Sequence, residues 1–406
     1  MARKRFLTDD RGMVAVYFAV ATLPVLAAIG LALDYGGRIN GDARLQDAVD
    51  FGALAAASAL DANSSISAQD AASTAVYGNA SSRALVINSV SVSKPTGNTV
   101  QVTATATRTA IFGKVFGATS QTLKASSTAA FGQYKTPLYE IALVLDNSGS
   151  MQSKNKIGKL QSAAKTFVDQ VALSSPGSKI SIIPYTRYVN IGLTNSAAAW
   201  LRWDLDSHSN GPWDGCITDR DKPYATSNSV PVIGVLETLV PARTCSTNQD
   251  VQAMVGLTTD YSKIKQIIDG MVINNGGTNI PLAMDYGYIS LTPNSILGGG
   301  AAFNSSSVKK VVVLMTDGTN HLNRWADDQQ TMDVMTLDIC NSMKNSGIYV
   351  FTVGIEDGDL VSHNLLTACA SATGYVNIVD SDHTAAAFGN ISSSLPMVKK
   401  PISLVR

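Results

Sequence analysis

The sequence predicts an α/β protein built in three parts. An N-terminal transmembrane helix leads into a small α+β stalk region, and a doubly wound, mainly parallel sheet with helices on both faces follows. Three observations carry this prediction. Met13 to Leu33 holds 21 consecutive uncharged residues, most of them apolar. Beyond Pro137, short apolar runs alternate with segments of helical periodicity, the pattern of a parallel sheet with crossover helices. Two of those runs, Ile141 to Leu145 and Val311 to Met315, lead into Asp146 and Asp317. Both carboxylates therefore fall where a parallel strand ends and a loop begins, the crevice in which open α/β sheets bind ligands.

The uncharged run is long enough to cross a bilayer as a helix. Arg3, Lys4, Arg5 and Arg11 precede it and Asp34 follows it, a charge asymmetry that keeps residues 1–12 in the cytoplasm and sends the rest across. A cleaved signal peptide is the rival reading. Its apolar core would usually be shorter, and no clean small-x-small site ends this one, so a retained anchor at 13–33 is expected. Leu45, Val49 and an Ala-rich stretch through Leu60 continue the helical spacing. Ala28, Ala32 and Gly36 recur every fourth position, either to admit a partner helix closely or because such helices are rich in small residues.

Residues 34–134 read as an extended helix and a small α+β stalk, pilin-like in outline. Ala84 to Val92 and Thr99 to Thr107 alternate as strands around the turn Lys94-Pro95-Thr96-Gly97-Asn98, and a third strand is expected near Gln121 to Ala130. The Ser/Thr-rich faces carry no catalytic constellation. Spacing the next domain from the membrane is the expected role.

Residues 138–395 form the doubly wound part. Ile157, Leu160, Ala164, Phe167, Val168 and Val171 predict an amphipathic helix; Ile180 to Pro184 and Ile348 to Val353 predict buried strands; Val334 to Met343 and His383 to Leu395 predict further helices. An irregular insertion at about 188–256 holds Trp200, Trp203 and Trp213. Two readings stand for these rings: a binding surface, since Trp concentrates in hot spots, or the miniature core of a stapled insertion. Asp204, Asp206 and Asp214 hint at calcium, but the Gly and terminal Glu of an EF-hand loop are missing. Cys216, Cys245, Cys340 and Cys369 fall in two intervals of 29 residues, which suggests two disulfides among the three possible connectivities; free thiols in a reducing compartment are the alternative. A tail follows at 396–406.

Three distant segments read together as one site. They are Asp146-Asn147-Ser148-Gly149-Ser150, Gly276-Gly277-Thr278-Asn279 and Thr316-Asp317-Gly318. Asp146 and Asp317 with the hydroxyls of Ser148, Ser150 and Thr278 make an oxygen-only set of hard ligands suited to Mg²⁺, with Mn²⁺ or Ca²⁺ as substitutes. The arrangement resembles the metal-ion-dependent adhesion site of von Willebrand factor A domains, whose D-x-S-x-S, Thr and Asp pattern is complete here. That resemblance implies a cation able to take an Asp or Glu carboxylate from a protein partner. The segment from Arg11-Gly12-Met13 through Leu33-Asp34-Tyr35, then Leu45-Gln46-Asp47-Ala48-Val49-Asp50, resembles the N-terminus of tight-adherence (Tad) pilus assembly proteins of the TadE/TadG-like type. Relatives with pilin-like processing carry Glu at the fifth residue after the cleavage glycine; counted from Gly12, that residue here is Tyr17.

With 31 basic and 31 acidic residues, global charge makes no case for nucleic acid. No H-E-x-x-H, P-loop or G-x-S-x-G string occurs, and His208, His321, His363 and His383 are scattered, so no enzyme is expected. Three functions are consistent with these readings. One is a Tad-type pilus assembly or adhesion factor, single-pass in the bacterial cytoplasmic membrane, with its large C-terminal region periplasmic or surface-facing. The second is a minor structural subunit of the fibre, and the third an envelope interaction module unrelated to pili.

Overall fold

The long N-terminal helix runs unbroken past the apolar stretch. In the computed structural model, which describes residues 10–62, 64–80, 85–95, 97–117, 119–205, 212–245, 251–358 and 361–405, helix α1 spans Asp10–Asp61. Arg3, Lys4 and Arg5 lie outside the described residues, as do Asp206 and His208. Pro24 sits inside the helix, a residue that apolar spanning helices tolerate. From Val14 to Leu33 nearly every large apolar side chain is exposed, whereas Leu45, Ala48, Val49, Ala53, Ala56 and Ala57 are fully buried. The switch marks where the helix acquires a protein face at three- and four-residue spacing.

That face packs on an antiparallel sheet of β1 (Leu85–Ser93), β2 (Thr99–Thr109) and β3 (Ser120–Ala130), joined by helix α2 (Ala68–Ala80). On β2, Val100, Val102, Ala104 and Ala106 turn inward while Thr103, Thr105 and Thr107 alternate outward, the period-2 pattern of a half-buried strand. The chain's end belongs here too: Ser403–Leu404 adds an antiparallel strand to β3, and Lys399 pairs with Asp61 at 2.8 Å. Gly36 has no neighbour within 4 Å of where a Cβ would stand.

Residues 136–398 form a second unit. Its sheet contains β4 (Leu138–Asp146), β5 (Lys179–Tyr185), β6 (Val308–Thr316), β7 (Tyr349–Ile355) and β8 (Val376–Val379), in the parallel order β8-β7-β6-β4-β5. Short antiparallel strands, Val189–Asn190, Cys216–Ile217 and Val255–Thr258, extend the β5 edge. Because helices cover both faces, every side chain from Ile141 to Leu145 is fully buried. Ile141, Leu143 and Leu145 meet α3 (Lys156–Ser174), α4 (Tyr261–Asp269) and α8 (Thr384–Ser393) through Leu160, Phe167, Ile264 and Phe388. Ala142 and Val144 face α5 (Ile280–Leu291), α6 (Gln329–Asn345) and α7 (His363–Cys369).

Both expected disulfides are present, Cys216–Cys245 in the insertion and Cys340–Cys369 between α6 and α7. Cys340→Ala with Cys369→Ala should cost about 2–4 kcal/mol, the usual contribution of such a cross-link. A lowered denaturant midpoint at unchanged slope is the expected readout; an unchanged midpoint would show that this bridge adds nothing. The insertion's tryptophans join the core on one face of the central sheet, with Trp213 inside it and Trp200 and Trp203 packed against it, rather than forming a separate core of the insertion. Trp203 meets Trp213 edge to face at 5.2 Å, and Trp213 is buried with its indole N–H donating to Cys216 O at 2.7 Å. Of the calcium candidates, the two within the described residues have protein partners: Asp204 pairs with Arg202, and Asp214 accepts from Cys245 N–H. Asp214 lies beside Cys216 and Cys245, but a disulfide offers no thiolate to a metal.

Candidate metal centre

Strands β4 and β6 are parallel neighbours with Leu145 opposite Met315, so Asp146 and Asp317 leave the sheet side by side. The chain order reverses here, β5 lying on one side of β4 and β6 on the other. This is the topological switch point at which doubly wound sheets bind ligands. Asp146 Oδ1 accepts the Ser148 N–H at 2.8 Å, and Oδ2 accepts the Thr316 hydroxyl at 2.7 Å. Ser148 Oγ stands 3.1 Å from Ser150 Oγ, which donates to Asp317 Oδ1 at 2.5 Å. Four of the five expected residues thus form one connected cluster.

Thr278 is placed by its backbone. Its N–H donates to His321 O at 2.8 Å and its carbonyl accepts the His321 N–H at 2.9 Å. Gly277 turns the chain into this position with φ +109°, a conformation that favours glycine. Asn279 then caps α5 by accepting the Leu282 N–H. The Thr278 hydroxyl has no hydrogen bond to the other four side chains.

The carboxylates are deeper than strand ends usually are. Asp146 and Asp317 have no exposure, while Gly149, Ser150, Gly318 and Thr319 are partly exposed and form the opening. Burial first, then the neighbouring Asp317 carboxylate, pushes the Asp146 carboxyl up to about 7. Burial, and next the Asp146 charge, raises the Tyr185 phenol well above its usual range, so it stays protonated and its hydroxyl can donate toward Met315 O at 3.3 Å.

Lys156 was not legible as part of this site. Its Nζ lies 2.9 Å from Asp317 Oδ2, both side chains being fully buried. The available signal was position: Lys156 begins the α3 face that continues through Leu160, Ala163, Ala164 and Phe167. A lysine on an otherwise apolar stripe is expected to have a buried partner. Asp219, from the insertion, is a second such residue. It accepts from Asn279 Nδ2 at 3.0 Å and from Arg324 N–H at 3.2 Å, tying the insertion to the loops beside Thr278.

The residues present fit a hard divalent cation. The donors are all oxygens, and the 3.1 Å separation of Ser148 and Ser150 is near the roughly 2.9 Å between adjacent ligands of an octahedron with Mg–O distances near 2.0–2.1 Å. The like charges of the buried Asp146 and Asp317 carboxylates are also the feature that a cation relieves.

Comparison with known families agrees with this architecture. Residues 12–59 match the putative Flp pilus-assembly TadE/G-like family, and residues 240–392 match the von Willebrand factor type A domain. The chain joins a TadE/G-like N-terminal segment to a von Willebrand factor type A domain. The second match includes Thr278 and Asp317 and begins after Asp146, Ser148 and Ser150, which the fold supplies from the adjoining strand. Comparison with curated proteins gives no match. Among solved structures, proximal thread matrix protein 1 from the mussel byssus, with a zinc-occupied MIDAS motif, is 17% identical with a TM-score of 0.36. The alignment covers 64% of this chain and 48% of that one, so this chain spans about half the length of the mussel protein. The vWF domain of the type V pili tip protein Mfa5 from Porphyromonas gingivalis is 12% identical (TM-score 0.39, 64% of this chain and 95% of that chain covered). The adhesive tip pilin GBS104 from Group B Streptococcus agalactiae is also 12% identical (TM-score 0.40, 79% and 69% covered).

Proposed function

We propose that this chain is a membrane-anchored Tad-type pilus assembly or adhesion factor whose A domain binds a partner carboxylate through a Mg²⁺-bearing adhesion site. The convergence of Asp146, Ser148, Ser150 and Asp317 at the β4/β6 switch point carries the reading. Asp146, Ser148, Ser150, Thr278 and Asp317 would hold the ion, directly or through water. Bound there, it would supply a Lewis-acidic position for an incoming carboxylate.

The protein's own charges favour that outcome. Lys156 neutralises Asp317, so the carboxylates and the ammonium together leave less negative charge than a divalent cation brings. The loaded site is then net positive and attracts an acidic group from the partner. Asp146 supplies charge from the core while Ser148 and Ser150 supply neutral oxygens. His363 and His383 pair with Glu356 and Asp380, and we read the site as one that binds rather than one that catalyses. The buried disulfides fit an oxidising compartment, and the exposed apolar surface of α1 fits an anchor in the bacterial cytoplasmic membrane with residues 40–406 outside the cytoplasm.

Two measurements test this. Protease added to spheroplasts should remove the large domain; full protection would contradict the topology. Mg²⁺ titrated into the full chain should bind saturably, and Thr278→Ala should weaken that binding by about tenfold, the effect of losing one neutral ligand of hydrogen-bond strength. Titration heats that are featureless in the wild type would contradict the metal site.

A further inference from the structure

The connection between β2 and β3, residues 110–119, does more than turn the chain, because it lies against α1. Asp34 is buried, and its carboxylate accepts three consecutive backbone N–H groups: Ile111 at 2.8 Å, Phe112 at 2.9 Å and Gly113 at 2.7 Å. Arg108 adds a bond from its guanidinium to the Asp34 carbonyl at 3.3 Å. Phe112 reaches further down the helix to Gly30, where a Cβ would stand 2.7 Å from its ring. Gly30 lies four residues before Asp34, about 6 Å along the axis, and inside the uncharged run that ends at Leu33. The loop therefore overlaps the apolar part of the helix by about one turn.

The loop presents lipid-compatible groups at that level. Ile111 is 67% exposed and Val115 79% exposed, an arrangement that costs free energy in water. Lys114 is exposed between Gly113 and Val115. Exposed aliphatic side chains with a cation among them suit the boundary between acyl chains and phosphate headgroups.

We propose that residues 111–115 form a second membrane contact, with Ile111, Phe112 and Val115 seated in the interfacial layer of the bilayer that α1 crosses and Lys114 at the headgroup phosphates. The proposal rests on the reading of α1 as a retained anchor. The occupant follows from continuity: the loop is bonded to the same helix turn at which the uncharged, membrane-spanning run of α1 ends. The three carboxylate bonds then set how the stalk's sheet meets the membrane, since a helix alone would be free to tilt and rotate.

Tryptophan reporters in the full chain test it. Val115→Trp, Leu26→Trp and Ser93→Trp would each be reconstituted in phosphatidylethanolamine and phosphatidylglycerol vesicles with brominated acyl chains. Emission is read as the difference from the wild type, which has four tryptophans. Leu26 reports on the anchor, and Ser93 lies at the far end of β1 from the loop. Val115 and Leu26 are exposed, so these changes spare the packed core. The expected result is loss of most of the added emission from Val115→Trp and Leu26→Trp, with Ser93→Trp unaffected. Quenching at Leu26→Trp with none at Val115→Trp would overturn the loop contact and leave the anchor standing. Absence of quenching at Leu26→Trp would overturn both, and quenching at Ser93→Trp would show unspecific contact of the whole stalk and overturn the loop's role.

Discussion

Asp146→Ala should abolish Mg²⁺ binding and all EDTA-sensitive partner capture while the domain stays folded. The substitution removes a buried charge from the end of β4, and that charge is held at a cost. In the metal-free protein the Asp146 carboxyl is raised from 3.8 to about 7 by burial and by Asp317. The unfolded chain therefore gives up this proton first. The contribution of this group to stability is full below about 3.8 and is lost as pH rises through about 7. Metal-free wild type should accordingly lose melting temperature between those limits from this group, and Asp146→Ala should lack that component. Mg²⁺ reverses the trend by favouring the ionised form, so its affinity should rise with pH until about 7. A metal-free melting profile that is identical in wild type and Asp146→Ala across this window would show that the raised carboxyl has no energetic consequence.

Lys156→Met should have the opposite signature, with a large stability loss and tighter metal binding. Lys156 and Asp317 form an ion pair with no solvent exposure on either side. Removing one partner of such a pair leaves an uncompensated buried charge, and the loss is about 3–5 kcal/mol. Methionine keeps most of the length and apolar stem of lysine, so the loss reports on charge more than on packing. With the ammonium gone, the carboxylates face the cation undiluted, and Mg²⁺ should restore more stability to Lys156→Met than to wild type. The loaded site is then less positive, and acidic partners should bind more weakly. Calorimetric melts with and without Mg²⁺ read the first effect and partner titration the second. Equal Mg²⁺ stabilisation of the two proteins would mean that Lys156 does not tune the ion.

The parts of this fold that were legible are those in which one physical cause dominates. Ile141 to Leu145 and Val311 to Met315 are buried on both faces of a parallel sheet, and an unbroken apolar run is the direct trace of that burial. Thr99 to Thr107 alternates because only one face of its sheet is covered. Helix α5 left no comparable trace. All its residues from Ile280 to Leu291 are buried, so it has no polar face from which a period could be read. Val189–Asn190 and Cys216–Ile217 are too short to carry a pattern, and the return of Ser403–Leu404 to β3 is a long-range pairing that local sequence does not encode.

The candidate site divides along the same line. Asp146, Ser148, Ser150 and Asp317 were nameable because a loop following a buried strand has a predictable place, and those loops meet. Lys156 and Asp219 act through partners distant in sequence, Asp317 and the Asn279/Arg324 pair. Asp34 was read only as the charge that ends the apolar run, yet its carboxylate also organises a loop more than seventy residues away.

The most direct measurement is a pull-down from envelope extracts with the full-length wild type and Asp146→Ala, each with Mg²⁺ and with EDTA. The proposed adhesion site predicts partner recovery only from wild type with Mg²⁺, with Asp146→Ala matching the EDTA lanes while its circular-dichroism melt remains cooperative. Recovery that is indifferent to EDTA and retained by Asp146→Ala would contradict it, and the site would then serve some purpose other than adhesion.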